Sequence, residues 1–220
     1  MKKTIIEISL GIIIVALGIW LYNSIMTPVR FDNDYTKRRD ACAEKLKSIR
    51  TLEEAYKQTY GCYTGSFDTL INRLMNEDSM RVVSKVTNYD LIPADVDINE
   101  MTELEAVKKG YITRKEIYVN PITKLREDGK LAISDEEIQN VRFVPYPKGE
   151  NLEFTLAADK IEKGGFLVPV FECKVDLKDL MSDADNQLVI NKIAELERIN
   201  RFPGWKVGDL TQAITDGNFE

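Results

Sequence analysis

Hydrophobic and polar positions change rhythm several times along this chain, and each change predicts an element. From Ile5 to Met26 the order IIEISLGIIIVALGIWLYNSIM holds 22 residues with one formal charge, Glu7. A helix of that length spans roughly 30 Å, the thickness of a bilayer's hydrocarbon core, so residues 1–30 are expected to form a transmembrane anchor. A cleaved signal peptide competes, because Lys2 and Lys3 give the segment a basic start. The run is longer than a signal's apolar region, however, and Trp20, Leu21 and Tyr22 stand where a small-residue cleavage site belongs. Trp20 and Tyr22 suit a membrane interface instead.

Past Pro28, where a helix can kink, the rhythm becomes helical. Tyr35, Cys42, Leu46, Ile49, Leu52, Tyr56 and Tyr60 recur at steps of seven, four, three, three, four and four. This places them on one stripe of an amphipathic helix over residues 31–60, with Arg38, Lys45, Lys47, Glu53, Glu54 and Lys57 expected in water. The stripe holds for too few heptads to specify a coiled coil, so the helix is expected to lie against its own domain. Gly61 reads as its C-cap.

Beyond that point helix and strand signals alternate. Ser66 can cap a short helix from Phe67 to Met75, and a second over Thr102 to Lys109 ends at Gly110. Glu116 to Val119 reads as a short strand ending at Asn120-Pro121. Val141 to Tyr146 alternates around Pro145, which suits an edge strand. Leu152 to Ala158 and Phe166 to Val175 read as a hairpin around Gly164-Gly165. A last helix is expected over Asn186 to Asn200, followed by a turn at Pro203-Gly204. The prediction is an α+β protein: an anchor over 1–30, then one domain over 31–220 in which the long helix packs on a small antiparallel sheet.

Composition narrows the chemistry. Among 220 residues there is no histidine, which removes Ser-His-Asp and Cys-His catalysis and imidazole metal ligands. Three cysteines are too few for a zinc site built of four thiolates. A formal net charge of -6, with few aromatic residues interleaved among bases, argues against a nucleic-acid surface. Asp183-Ala184-Asp185 starts like a calcium loop, but Leu188 and Ala194 stand where Gly and Glu are required, so capping of the following helix is the expected role. No phosphate-cradling glycine pattern occurs. The expectation is no enzyme activity, no cofactor and no metal.

Three passages resemble the type IV pilin superfamily and, within it, the pseudopilins of type II secretion. Thr4-Ile5-Ile6-Glu7 is similar to that family's Thr-Leu-Ile-Glu, Tyr60-Gly61-Cys62-Tyr63-Thr64-Gly65-Ser66 to its Tyr-Gly-x-Tyr-Pro-x-Ser, and Gly110-Tyr111-Ile112 with Asn120-Pro121 to its Gly-Tyr-Leu followed by Asp-Pro. Gly65 to Leu70 taken with Gly204-Trp205-Lys206-Val207-Gly208 also looks like an uncharacterised membrane-anchored family of Bacteroidota. The pilin resemblance implies a structural or assembly component of an envelope machine, a secretion or filament system, with Glu7 as a candidate subunit contact. The other reading of Glu7 is a carboxylate at the membrane surface within reach of Lys3. One departure stands out: pilin leaders are cut after Gly, whereas the matching point here lies between Lys2 and Lys3. The second function class is a membrane-tethered extracytoplasmic binding or enzyme domain with an unidentified ligand.

The expected location is the inner, cytoplasmic membrane, crossed once, with the N-terminus in the cytoplasm and residues 30–220 periplasmic or extracellular. Expected partners are the membrane and other envelope-machine subunits, and no nucleic acid. An oxidising exterior would allow disulfides. Cys42 and Cys62 lie twenty residues apart on or beside one helix, about 30 Å, too far to bridge. Cys62, in a loop, and Cys173, on a strand, are therefore the candidate disulfide, against the alternative of three separate thiols with Cys173 a small core residue.

Overall fold

The computed structural model describes residues 2–93, 97, 98, 101–146 and 151–219, with side chains from residue 9 onward. Helix α1 runs unbroken from Lys2 to Tyr60, through Pro28. Its two halves obey different rules. From Ser9 to Arg30 every side chain but Met26 is exposed, and the first buried residue is Phe31. From there the predicted stripe is realised: Cys42, Leu46, Ile49 and Leu52 are fully buried. Gly61, at φ 76°, ends the helix and returns its N–H to the Lys57 carbonyl at 2.8 Å. A left-handed conformation there is one that glycine adopts without a Cβ clash.

The stretch 31–220, expected as one domain, folds into two compact units: Met1–Arg50 with Gln139–Glu220, and Thr51–Ile138. The boundary falls inside α1, whose stripe continues past it, so helical periodicity alone cannot mark it. The sheet expected as one is likewise two, a two-stranded ribbon and a three-stranded sheet.

The unit formed by Thr51–Ile138 begins with the last turns of α1 and continues with α2 (Phe67–Asn76), β1 (Met80–Thr87), α3 (Glu103–Lys108), β2 (Ile112–Val119), α4 (Pro121–Glu127) and α5 (Asp135–Gln139, ending one residue past the boundary). Ser66 caps α2 as predicted, accepting the Thr69 N–H at 3.4 Å. Thr102 and Glu105 form a reciprocal capping box on α3. β1 pairs antiparallel with β2 from Met80↔Val119 to Thr87↔Ile112. β1 was not foreseen, and β2 begins four residues before the predicted strand. Burial in β1 alternates from Met80 to Lys85, but with Val83 on the exposed side and Ser84 on the sheltered one, and β2 is exposed from Thr113 to Glu116, so hydropathy along the sequence betrays neither strand.

The other unit adds β3 (Thr155–Lys163), β4 (Phe166–Asp176), α6 (Leu177–Leu180), α7 (Asn186–Arg198) and β5 (Gly204–Gly208) to the first fifty residues. The predicted hairpin forms, with β3 antiparallel to β4 from Thr155↔Lys174 to Lys163↔Phe166. β5, foreseen only as a turn and tail, pairs on the other side of β4, Glu172↔Gly208 through Asp176↔Gly204. Central β4 therefore has Val170, Phe171, Glu172 and Cys173 buried in succession. Val141 to Tyr146 is corrected: instead of an edge strand it forms turns and one bridge, Phe143↔Glu153. Lys45 holds this segment by donating to the Phe143 and Asn140 carbonyls at 2.7 and 3.2 Å.

Contacts along α1 fix its sense against the sheet. Tyr35 packs against Trp205 with the rings tilted by 48° and their centroids 5.2 Å apart. Arg38 donates to the Leu180 carbonyl at 2.6 Å and grips Asp183 with two bonds of 2.6 and 2.8 Å. Arg50, further along, reaches the Thr215 carbonyl at 3.4 Å, in the tail that follows β5. β5 and α1 thus run in the same general direction.

Candidate functional site

The most distinctive surface of the molecule is the first half of α1. Its 18-residue window of highest hydropathy averages 1.9 and has no share buried, which makes the helix long and apolar enough to cross a membrane. Leu10, Ile12, Ile13, Ile14, Val15, Leu17, Ile19 and Leu21 are all more than half exposed. An apolar cylinder of this size is unstable in water, where each buried CH₂ is favoured by about 0.8 kcal/mol. Trp20 and Tyr22 sit near its far end, 69% and 56% exposed. Glu7 falls in the first turns of α1, and its side chain lies outside the described ones.

The three cysteines each carry a thiol, and no bridge joins Cys62 to Cys173 in this structure. Cys42 and Cys173 are fully buried in one unit, and Cys62 is half-buried in the other. Burial pushes the Cys42 thiol up to about 12, against the pull of Lys45 and Arg38, which makes it a poor nucleophile.

One titratable group escaped the sequence reading. Glu53, expected in water with the other charged residues of α1, is 0% exposed. The loop after Gly61 folds back over it, and the Thr64 N–H donates to Glu53 Oε2 at 3.1 Å. Oε1 is buried with no hydrogen-bond partner. Burial pushes this carboxyl up to about 8, the Thr64 N–H opposing. Helical spacing does carry a signal for this, since Glu53 lies four residues after Ile49 and seven after Leu46, on the buried stripe itself; its charge, not its position, suggested the wet face.

A second charged cluster lies on β4 and β5. Glu172, nearly buried, accepts from Lys174 at 2.8 Å and Lys206 at 3.0 Å, and Lys206 also pairs with Asp209 at 2.7 Å. Burial alone would raise the Glu172 carboxyl, but the two ammonium groups outweigh it and hold it below its ordinary value. These residues form a closed ion-pair network across neighbouring strands. The Asp183 to Asp185 motif resolves as capping and pairing: Asp185 accepts from the Gln187 and Leu188 N–H groups at 2.9 and 3.2 Å, while Asp183 holds Arg38. Among the described residues no group of three or more Cys, Asp or Glu side chains is placed to hold a metal ion. A cavity of about 160 Å³ lies near Tyr35, Arg39, Arg201 and Trp205, and another of about 320 Å³ near Met75, Asn120, Arg126 and Asp135. No family model, no curated protein and no solved structure matches this chain, so its own residues carry the functional reading.

Proposed function

We propose that this chain is a single-pass membrane protein whose folded part stands outside the cytoplasm and serves as a structural or assembly component of an envelope machine, in the manner of pilin-like subunits. The observation that carries this is the continuity of α1. One helix carries no charge and is predominantly apolar from Ser9 to Met26 and then, without a break, supplies the buried stripe of Cys42, Leu46, Ile49 and Leu52. A flexible tether would suffice to localise an independent binding domain. A continuous helix instead fixes the folded part relative to the bilayer, which is what a subunit contacting its neighbours needs.

The test exchanges residues 5–26 for an unrelated apolar helix of equal length. Both proteins should stay in the membrane fraction through alkaline carbonate. Only the native helix should yield crosslinks to other envelope proteins in intact cells. Equal crosslinking by both would favour a merely tethered domain and overturn the assembly reading. Protease added to spheroplasts should remove the part after Arg30, and full protection would reverse the proposed orientation.

A further inference from the structure

The outer edge of the three-stranded sheet is β3, which is hydrogen-bonded to β4 on one side only. Its distal half reads Asp159-Lys160-Ile161-Glu162-Lys163, and its four charged residues are exposed. This order is self-complementary. Laid antiparallel to itself with Ile161 at the centre, it sets Lys160 opposite Glu162 and Asp159 opposite Lys163, each twice. Moving the centre by one residue puts Lys160 against Lys160 or Glu162 against Glu162, and a half-step puts Asp159 against Glu162 or Lys160 against Lys163. Opposite charges facing across an antiparallel pair are stabilising and like charges are destabilising, so this edge specifies a single register.

The backbone is set for the same pairing. Lys160 faces Pro169 on β4, and proline has no N–H to give to a ladder. The Lys160 N–H goes instead to its neighbour, the Asp159 carboxylate, at 2.7 Å. It is thus not engaged by β4, and by the alternation of strands the N–H of Glu162 faces outward with it. In the register centred on Ile161, Lys160 and Glu162 of the second copy exchange backbone hydrogen bonds. The two Ile161 side chains meet in the close, non-hydrogen-bonded position, about 4.5 Å between Cα atoms. Val168 lies across from Ile161 within each hairpin, which gives an apolar row of Val168, Ile161 and the same two residues of the second copy.

We infer that the β3 edge is a homotypic docking surface that pairs antiparallel with β3 of a second copy of this chain through the Asp159 to Lys163 segment. The symmetry decides where that copy stands. A two-fold normal to the sheet reverses every direction lying in it, including that of α1, which runs with β5 along the sheet. The two anchor helices leave in opposite directions, so the contact joins copies seated in two facing bilayers and not neighbours in one. A five-residue pairing is below the area of a stable dimer, about 1,000 Å², and becomes effective when many copies act together across two surfaces.

The vesicle arm of the test rests on the proposed membrane anchor. The full chain is reconstituted into phosphatidylcholine vesicles, flotation reports anchoring, and light scattering reports clustering. Wild-type vesicles should cluster, less so at high salt. Vesicles carrying Lys160→Glu alone, or Glu162→Lys alone, should cluster at least tenfold less. Mixing those two populations should restore clustering, because the carboxylate introduced at position 160 of one copy then faces an ammonium at position 162 of the other. The double variant should cluster with itself. Dispersed wild-type vesicles, with the protein shown to float, would mean that the charges keep the edge apart and would overturn the inference. Indifference to the single reversals, or failure of the mixture to recover, would overturn it as well. If the chain does not float, the anchor reading fails, and sedimentation of the same four proteins in detergent decides the pairing by the same pattern.

Discussion

Glu53 shows how a single side chain can make part of this fold depend on pH. Its carboxyl titrates near 4.5 when unfolded and at about 8 in the folded protein, so the folded state holds the proton more tightly. The contribution is fully present below about pH 4.5 and is lost as pH rises through about 8. Stability of the Thr51–Ile138 unit should therefore fall across this window, by about 5 kcal/mol at most. Hydrogen exchange over residues 61–66 of the full chain in detergent should accelerate as the pH approaches 8, beyond the intrinsic increase. Glu53→Gln keeps an acceptor for the Thr64 N–H and removes the charge. It should flatten the dependence, leaving the protein about 1 kcal/mol weaker at pH 5 and stronger than wild type at pH 9. The cysteines supply a second check at this scale. Cys62 should react with a maleimide in the folded protein, whereas Cys42 and Cys173 should react only after unfolding. Protection of Cys62 that is relieved by a reductant would instead show the bridge to Cys173 forming in the cell.

At the scale of elements, the close approach of β4 and β5 depends on glycine. Gly208 has φ 73°, and a Cβ there would collide with the Phe171 carbonyl oxygen. A Cβ on Gly204 would likewise meet the Val175 carbonyl oxygen. Gly208→Ala should therefore destabilise its unit by roughly 2–4 kcal/mol, read as a lower urea midpoint at unchanged slope. Leu46→Ala, in the fully buried stripe of α1, should cost about 2–5 kcal/mol through the cavity it leaves. Both losses should be visible in the fluorescence of Trp205, which is buried in that unit beside Tyr35.

For the whole molecule the governing feature is one helix with two kinds of surface, an apolar exposed one up to Met26 and a buried stripe from Phe31 on. Phe31 is the first buried residue, and the described side chains before it make no core. Removal of residues 1–30 should therefore release a folded, water-soluble protein with unchanged thermal unfolding, while the full chain should resist carbonate extraction. A shortened soluble species arising from the full chain would identify the first segment as a cleaved signal. In the proposed assembly, α1 sets the height and orientation of the sheet above the bilayer, and the β3 edge lies on the part of the hairpin beyond the reach of β5.

Sequence alone determined whatever is governed by local periodicity and local chemistry. The apolar run, the stripe from Cys42 to Tyr56, the caps at Ser66 and Asp185, the Gly61 stop and the β3–β4 hairpin all follow from patterns within a few turns or one hairpin. Tertiary structure alone decided what depends on residues far apart in the chain. β5 is a strand because the free side of β4 accepts it, although its Gly-Trp-Lys-Val-Gly sequence carries weak strand preference. β1 alternates in burial, but Val83 takes an exposed position and Ser84 a sheltered one, so the sequence does not display it. Glu53 sits on the stripe itself, four residues after Ile49, and only the folded loop, whose Thr64 N–H reaches its carboxyl, shows how a charged residue type can be buried there. The division into two units is likewise hidden, since α1 offers the same stripe to each and periodicity records a buried face without saying what buries it.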